Sequence, residues 1–207
     1  MEFVSTDPSA VRSIKQRHLL NEWLRAIGKR CALPLRRDFQ PDRMTDELVD
    51  MMGYDVIGHG HTARFRITQQ GARLAATYGN DRMDPNGPND RFLDDAIGPE
   101  RYARIVTLYR ACLIYRRPVY SISTVQDADG KDVSYERLLL PFGSGDEVEQ
   151  IVGSFKSISI EGGFKIDNLM GLRPKAEPVI QVRAVIDREF VPGSAALPDS
   201  DEVVELD

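Results

Sequence analysis

Three kinds of residue in this chain have types and spacings that invite chemistry. His59 and His61 stand two apart. In one continuous strand they would share a face and could hold a metal together. Gly58 and Gly60 make a turn the better reading, and no nearby cysteine or acidic pattern completes a ligand set. Exposed turn histidines and no metal are therefore expected. The two cysteines, Cys31 and Cys112, are far apart and in no metal-like spacing. A secreted disulfide scaffold would carry more, so the reading is a reducing, cytoplasmic compartment. Cys112 shares an apolar helical stripe with Tyr102 and Tyr109. A buried, inert thiol and core tyrosines follow, although a tyrosine hydroxyl on such a helix can also point into a ligand pocket. No Ser-His-Asp spacing, phosphate loop or paired-carboxylate signature appears, so no catalytic residue is assigned.

The elements that must position these residues are legible from periodicity. Leu20, Trp23, Leu24 and Ile27 fall at i, i+3, i+4 and i+7, which predicts a helix over 8–28 with Asp7 as its cap. A second helix is expected from 41 to 53, with Met44, Leu48, Met51 and Met52 as its stripe. Residues 54–57 are β-prone, and 63–68 alternate with Ala63, Phe65 and Ile67 on one face. Gln69-Gln70-Gly71 reads as a hairpin leading to a return strand over 72–77. A loop over 78–89 and a short helix to Ile97 precede a long helix over 100–116. There Tyr102, Ile105, Val106, Tyr109, Cys112 and Leu113 form the cleanest stripe in the chain. Strands over 119–126, 133–142 and 148–160 follow, joined by Asp129-Gly130 and Gly143-Ser144-Gly145 turns. One extra strand is expected over 180–190.

Composition bounds the class. With 207 residues and 42% of them apolar, the chain can bury a core without staples. A net charge of −5 argues against gripping nucleic acid through overall charge. Arg25, Lys29, Arg30, Arg36 and Arg37 cluster, and are read as a solvated helix end and loop. No apolar run approaches the roughly 18 residues of a membrane span, and 1–7 lack a secretory pattern.

Local motifs add a resemblance. Arg64-Phe65-Arg66-Ile67, then Gly71, Leu74 and Gly79, resemble the first hairpin of PAS domains. Tyr109 to Pro118 resembles the end of the long PAS helix. Tyr135-Glu136-Arg137-Leu138-Leu139-Leu140-Pro141-Phe142, a turn, and Val148 to Phe155 resemble the last two PAS strands. Upstream, Trp23-Leu24, Pro34-Leu35-Arg36, Asp38-Phe39 and Pro41 resemble the leader of a bacterial PAS-like subfamily of stand-alone proteins. The resemblance implies an α+β fold: a curved antiparallel sheet of about five strands, helices on one face, and N-terminal helices before it. Gly87 to Asp94 looks like the flavin-binding stretch of blue-light LOV domains, themselves PAS domains. Those place a cysteine where Asp90 stands, and a carboxylate cannot form their adduct. The octapeptide is read as a helix start capped by Asn89 or Asp90, and the cofactor stays unnamed.

The expectation is a helical extension over 1–53, a PAS-like domain over 54–160 and a C-terminal extension over 161–207. The function implied is non-catalytic sensing or regulation, through a small ligand or a protein partner, with a homo-oligomer expected and the output in trans. Candidates to line the pocket are Phe65, Tyr102, Ile105, Tyr109, Cys112, Ile122 and Leu138. The rival readings are a small-molecule enzyme on a ketosteroid-isomerase-like cone and a pure interaction adaptor.

The acidic segment 199–207 has no aromatic residue and cannot bury enough apolar area to offset chain ordering. Truncation after Leu197 is expected to leave the thermal midpoint unchanged. A loss of several degrees would show that Val203, Val204 and Leu206 dock.

Overall fold

A computed structural model describes residues 2–27, 33–40, 45–74, 91–126, 132–159, 178–187 and 189. Asp7 accepts the Ser9 N–H at 2.7 Å and caps only a short 3-10 turn, Pro8–Ala10. The first long helix, α1 (Ile14–Ile27), starts later, with Ser13 Oγ accepting the Gln16 N–H. Ser13-x-x-Gln16 has the capping-box pattern, but the Gln16 side chain turns into the protein instead of back to the cap. Of the expected second helix, residues 41–44 lie outside the described residues, and the rest holds α2 (Thr45–Leu48). Met51 and Met52 belong instead to a strand, where the chain must run extended to pair on both sides.

Among the described residues, seven strands form one mixed sheet. They are β1 (Val4–Thr6), β2 (Met51–Ile57), β3 (Arg64–Gln70), β4 (Val119–Gln126), β5 (Asp132–Phe142), β6 (Gln150–Ser159) and β7 (Val179–Ile186). Their order is β1-β7-β4-β5-β6-β2-β3, with β1 parallel to β7 and every other pair antiparallel. The α+β class is as expected; the count of about five strands is not. β7 realises the extra strand read over 180–190, and β1 was not foreseen, because three residues carry no readable alternation. The boundary expected between 53 and 54 falls inside β2. The first hairpin is β2–β3, turning through Gly58 and Gly60, both at positive φ. Ala72–Leu74 is helical, so no return strand starts there. Gly71 is required by proximity: a Cβ would come within 2.3 Å of the Val49 carbonyl oxygen.

Two helices precede the meander. In α3 (Leu93–Ile97), Phe92 holds the N-cap position without a side-chain cap, and Asn89 and Asp90 lie outside the described residues. Arg64 ties α3 to β3, its Nε and Nη2 each donating to one Asp94 oxygen at 3.0 Å and its plane over Phe92. Gly98, at φ 80° and ψ 160°, turns the chain into α4 (Pro99–Tyr115), which opens on proline. Only glycine adopts that backbone readily.

Helices cover both faces of the sheet, not one. Directly paired antiparallel residues point the same way. Tyr120, Leu138 and Ser154 form one rung, and Ile122, Glu136 and Lys156 the next on the same face. Gln16 of α1 donates to the Glu136 and Ser154 carbonyls, so α1 lies there. Val119, Leu139, Gly153 and Met52 point to the opposite face, as do Pro141, Ile151 and Tyr54. Tyr109 of α4 packs against Tyr54 and Phe65 on that side. The expected α1 stripe is buried: Leu20 and Trp23 fully, Leu24 and Ile27 partly.

Trp23 anchors α1, its ring 1% exposed and its indole N–H donating to the Pro141 carbonyl at 2.7 Å. Trp23→Ala is expected to cost about 3–5 kcal/mol by urea unfolding. An unchanged midpoint would mean that α1 is not part of the cooperative unit.

Candidate functional site

The face under α4 holds a compact aromatic group. Alternation in β2 turns Met52 and Tyr54 toward α4, and the same alternation in β3 does so for Phe65 and Ile67. Helical spacing brings Tyr109 down onto them. Its ring stands edge-on to Tyr54 at 5.2 Å and tilted against Phe65 at 4.9 Å. The Tyr109 hydroxyl donates to the Tyr54 hydroxyl at 3.0 Å, and Tyr54 donates to the Met52 sulfur at 3.3 Å. This is a short polar relay inside an apolar wall, with both phenols almost wholly buried. Gly153 shapes the floor. A Cβ there would sit 2.8 Å from the Phe155 ring, so only glycine lets that ring lie down beside Leu139.

The seven pocket candidates do not all meet. Phe65, Tyr109 and Cys112 are buried on this face. Tyr102 and Ile105 stand farther up α4, partly buried against the core. Burial raises the Tyr102 hydroxyl pKa, and the Asp94 carboxylate raises it further. Ile122 and Leu138 point the other way, under α1, by the strand register above. They lie on the other face of the sheet from Tyr109. The Cys112 thiol lies 3.9 Å from the Leu139 carbonyl, and burial pushes its pKa far up, so it is an inert core thiol as expected. Cys31 lies outside the described residues. His59 and His61 are exposed in the hairpin turn; among the described residues no group of three metal-ligating side chains forms.

Sequence reasoning missed Met52 as a partner of Tyr54. It also missed a polar layer under α1. Glu136 is buried, accepts the Tyr120 hydroxyl at 2.9 Å, and takes the Ser13 N–H at the start of α1. Tyr120 in turn accepts the Arg12 N–H. Burial raises the Tyr120 pKa first, and the Glu136 charge adds to it, so the phenol stays a hydrogen-bond donor. Next to this layer, Lys156 bridges Glu47 at 2.6 Å and Asp50 at 2.8 Å. Lys15 reaches Glu47 from α1, and Arg73 reaches Asp50. One signal was available: Leu138 to Phe142 is an unbroken apolar run, the mark of a strand covered on both faces. A carboxylate within such a strand needs a partner from above.

No family model, curated protein or solved structure matches the chain. Among the described residues, no helix is long and apolar enough to cross a membrane.

Burial alone would raise the Glu47 carboxyl, but hydrogen bonds from Lys15 and Lys156 outweigh it and hold the pKa below the ordinary value. The folded state therefore takes up this proton less readily than the unfolded state. The resulting stabilisation is complete above the ordinary carboxylate range and is lost as pH falls through the lower folded value. Melting points recorded downward from pH 6 are expected to fall less steeply in Glu47→Gln than in the parent. Parallel curves would remove Glu47 from the acid response.

Proposed function

We propose that this protein is a non-catalytic, PAS-like sensory module that holds a small ligand beneath α4 and reports it to a partner in trans. The observation that carries the reading is the buried Tyr109–Tyr54–Met52 relay, two hydroxyls facing one another within an apolar wall. Ligand sites pair such walls with a few placed polar groups. The chain order supports the family reading. A hairpin, a short helix, a long helix and a three-stranded meander are the elements on which the resemblance rests. Strands β3, β2, β6, β5 and β4 lie side by side as an antiparallel block. β1 and β7 extend that block by two strands.

Output has a physical route. In β6, Gly153 and Phe155 face α4, while Ser154 and Lys156 face α1. A ligand that moves the Phe155 ring moves the strand that holds Gln16 and Glu47. Gln16 Oε1 and Ser154 Oγ are buried without a hydrogen-bond partner among the described residues. The α1 contact is thus incompletely satisfied, which suits an element that must rearrange. The Glu136–Tyr120 pair has the residue types of an acid–base site, but it is spent on anchoring the start of α1.

Native mass spectrometry of the full chain is expected to find a co-purifying small molecule, lost or reduced in Tyr109→Phe. Hydrogen exchange in α1 should then rise or fall with its removal. A protein that is empty in every preparation and turns over a ketone through Glu136 would overturn the reading.

A further inference from the structure

A concavity lies away from the aromatic cluster under α4, at the C-terminal ends of α1 and α4. It measures about 220 Å³ and is lined by Ile27, Leu33, Tyr115, Arg116, Arg117 and Asp146. Drug-sized sites run from about 300 to 1,000 Å³, so this one suits a smaller molecule. Ile27, Leu33 and Tyr115 supply apolar wall. Arg116 and Arg117 supply two guanidinium forks, the group best matched to carboxylate and phosphate.

Two observations single out the arginines. Each has a carboxylate only at 3.9 Å, Asp146 for Arg116 and Asp187 for Arg117, too long for an N–H···O bond. Their donors are thus not taken up by hydrogen bonds among the described residues. Arg116 also sits at φ 52° and ψ 33°, the one described non-glycine residue at positive φ. Glycine is the usual residue where a helix ends this way, and a side chain there costs backbone strain. Strain of this kind is retained where the side chain has a use. The α4 carbonyls and the Asp146 carboxylate oppose a second negative charge. Of the last-turn carbonyls, that of Cys112 accepts the Arg116 N–H. Asp146 is 88% exposed and can swing into water.

We infer that this cleft binds a small organic anion, one carboxylate or phosphate group on a short apolar body, between the Arg116 and Arg117 guanidinium groups. The site does not depend on the ligand proposed beneath α4. Phenyl phosphate, benzoate and inorganic phosphate are titrated into the full chain at fixed ionic strength, with thermal melting as the readout. Phenyl phosphate or benzoate is expected to raise the midpoint saturably, by about 3–5 °C at ten times its dissociation constant. The stronger of the two names the anion class. Arg116→Gly and Arg117→Gln should each weaken binding roughly tenfold or more, while both stay folded. Tyr109→Phe should leave the shift intact, which separates this site from the one proposed beneath α4. No saturable shift with any of the three anions, or an equal shift in both arginine variants, overturns the inference.

Discussion

The Glu136 carboxylate is buried between a sheet and a helix, and the surrounding architecture answers to it. A charge in that position is tolerable only when it is fully engaged. Its partners come from three places: the Tyr120 hydroxyl from the neighbouring strand, the Ser13 N–H from the helix start, and the favourable end of the α1 dipole. Each imposes geometry. The tyrosine fixes the β4–β5 register, the amide fixes where α1 begins, and the dipole fixes its direction. Trp23, more than two turns later, then meets the Pro141 carbonyl on the same strand as Glu136. The helix is pinned at both ends by one strand.

The two sides of the sheet have different chemistry in consequence. Under α4 the contacts are rings and aliphatic chains, with one short phenol relay. Under α1 a polar layer accompanies the apolar stripe of Leu20 and Trp23: an amide, a carboxylate and a chain of ion pairs from Lys15 through Glu47 and Lys156 to Asp50. Ion pairs and hydrogen bonds are directional where ring and aliphatic contacts are not, so the side under α1 sets register. Strand β6, with successive residues on alternate faces, is shared by both.

Much of this was legible in the sequence, because the strongest patterns reflect burial. The α1 stripe, the α4 stripe, the meander and β7 all have a periodicity that packing enforces. What escaped had a tertiary cause. Met51 and Met52 have a helical spacing from Leu48, yet they run extended because β6 and β3 offer backbone partners on either side. The expected stripe on α4 omitted Leu108 and Ala111, which are also buried. Toward the end of the helix the Phe3 ring lies 6.4 Å from Tyr115, an arrival no local pattern announces. Of the pocket candidates, Phe65, Tyr109 and Cys112 were found together because alternation and helical phase place them. Ile122 and Leu138 were grouped with them since periodicity gives the face of a strand relative to its neighbours, not the helix lying over it.

The parallel pairing of β1 with β7 sets an order of events. Val4 aligns with Ala184, residues about 180 positions apart. No local contact can substitute for that match, and closing so long a loop has a large entropic cost. During synthesis at roughly 5–20 residues per second, the first strand waits roughly 10–40 s before its partner exists. Until then β4 also lacks its outer neighbour, since β7 lies between them. The nascent chain thus carries an unpaired first strand through most of its emergence, and an open β4 edge from the completion of β4 until β7 appears, an interval in which chaperones and neighbouring chains compete for the same backbone groups.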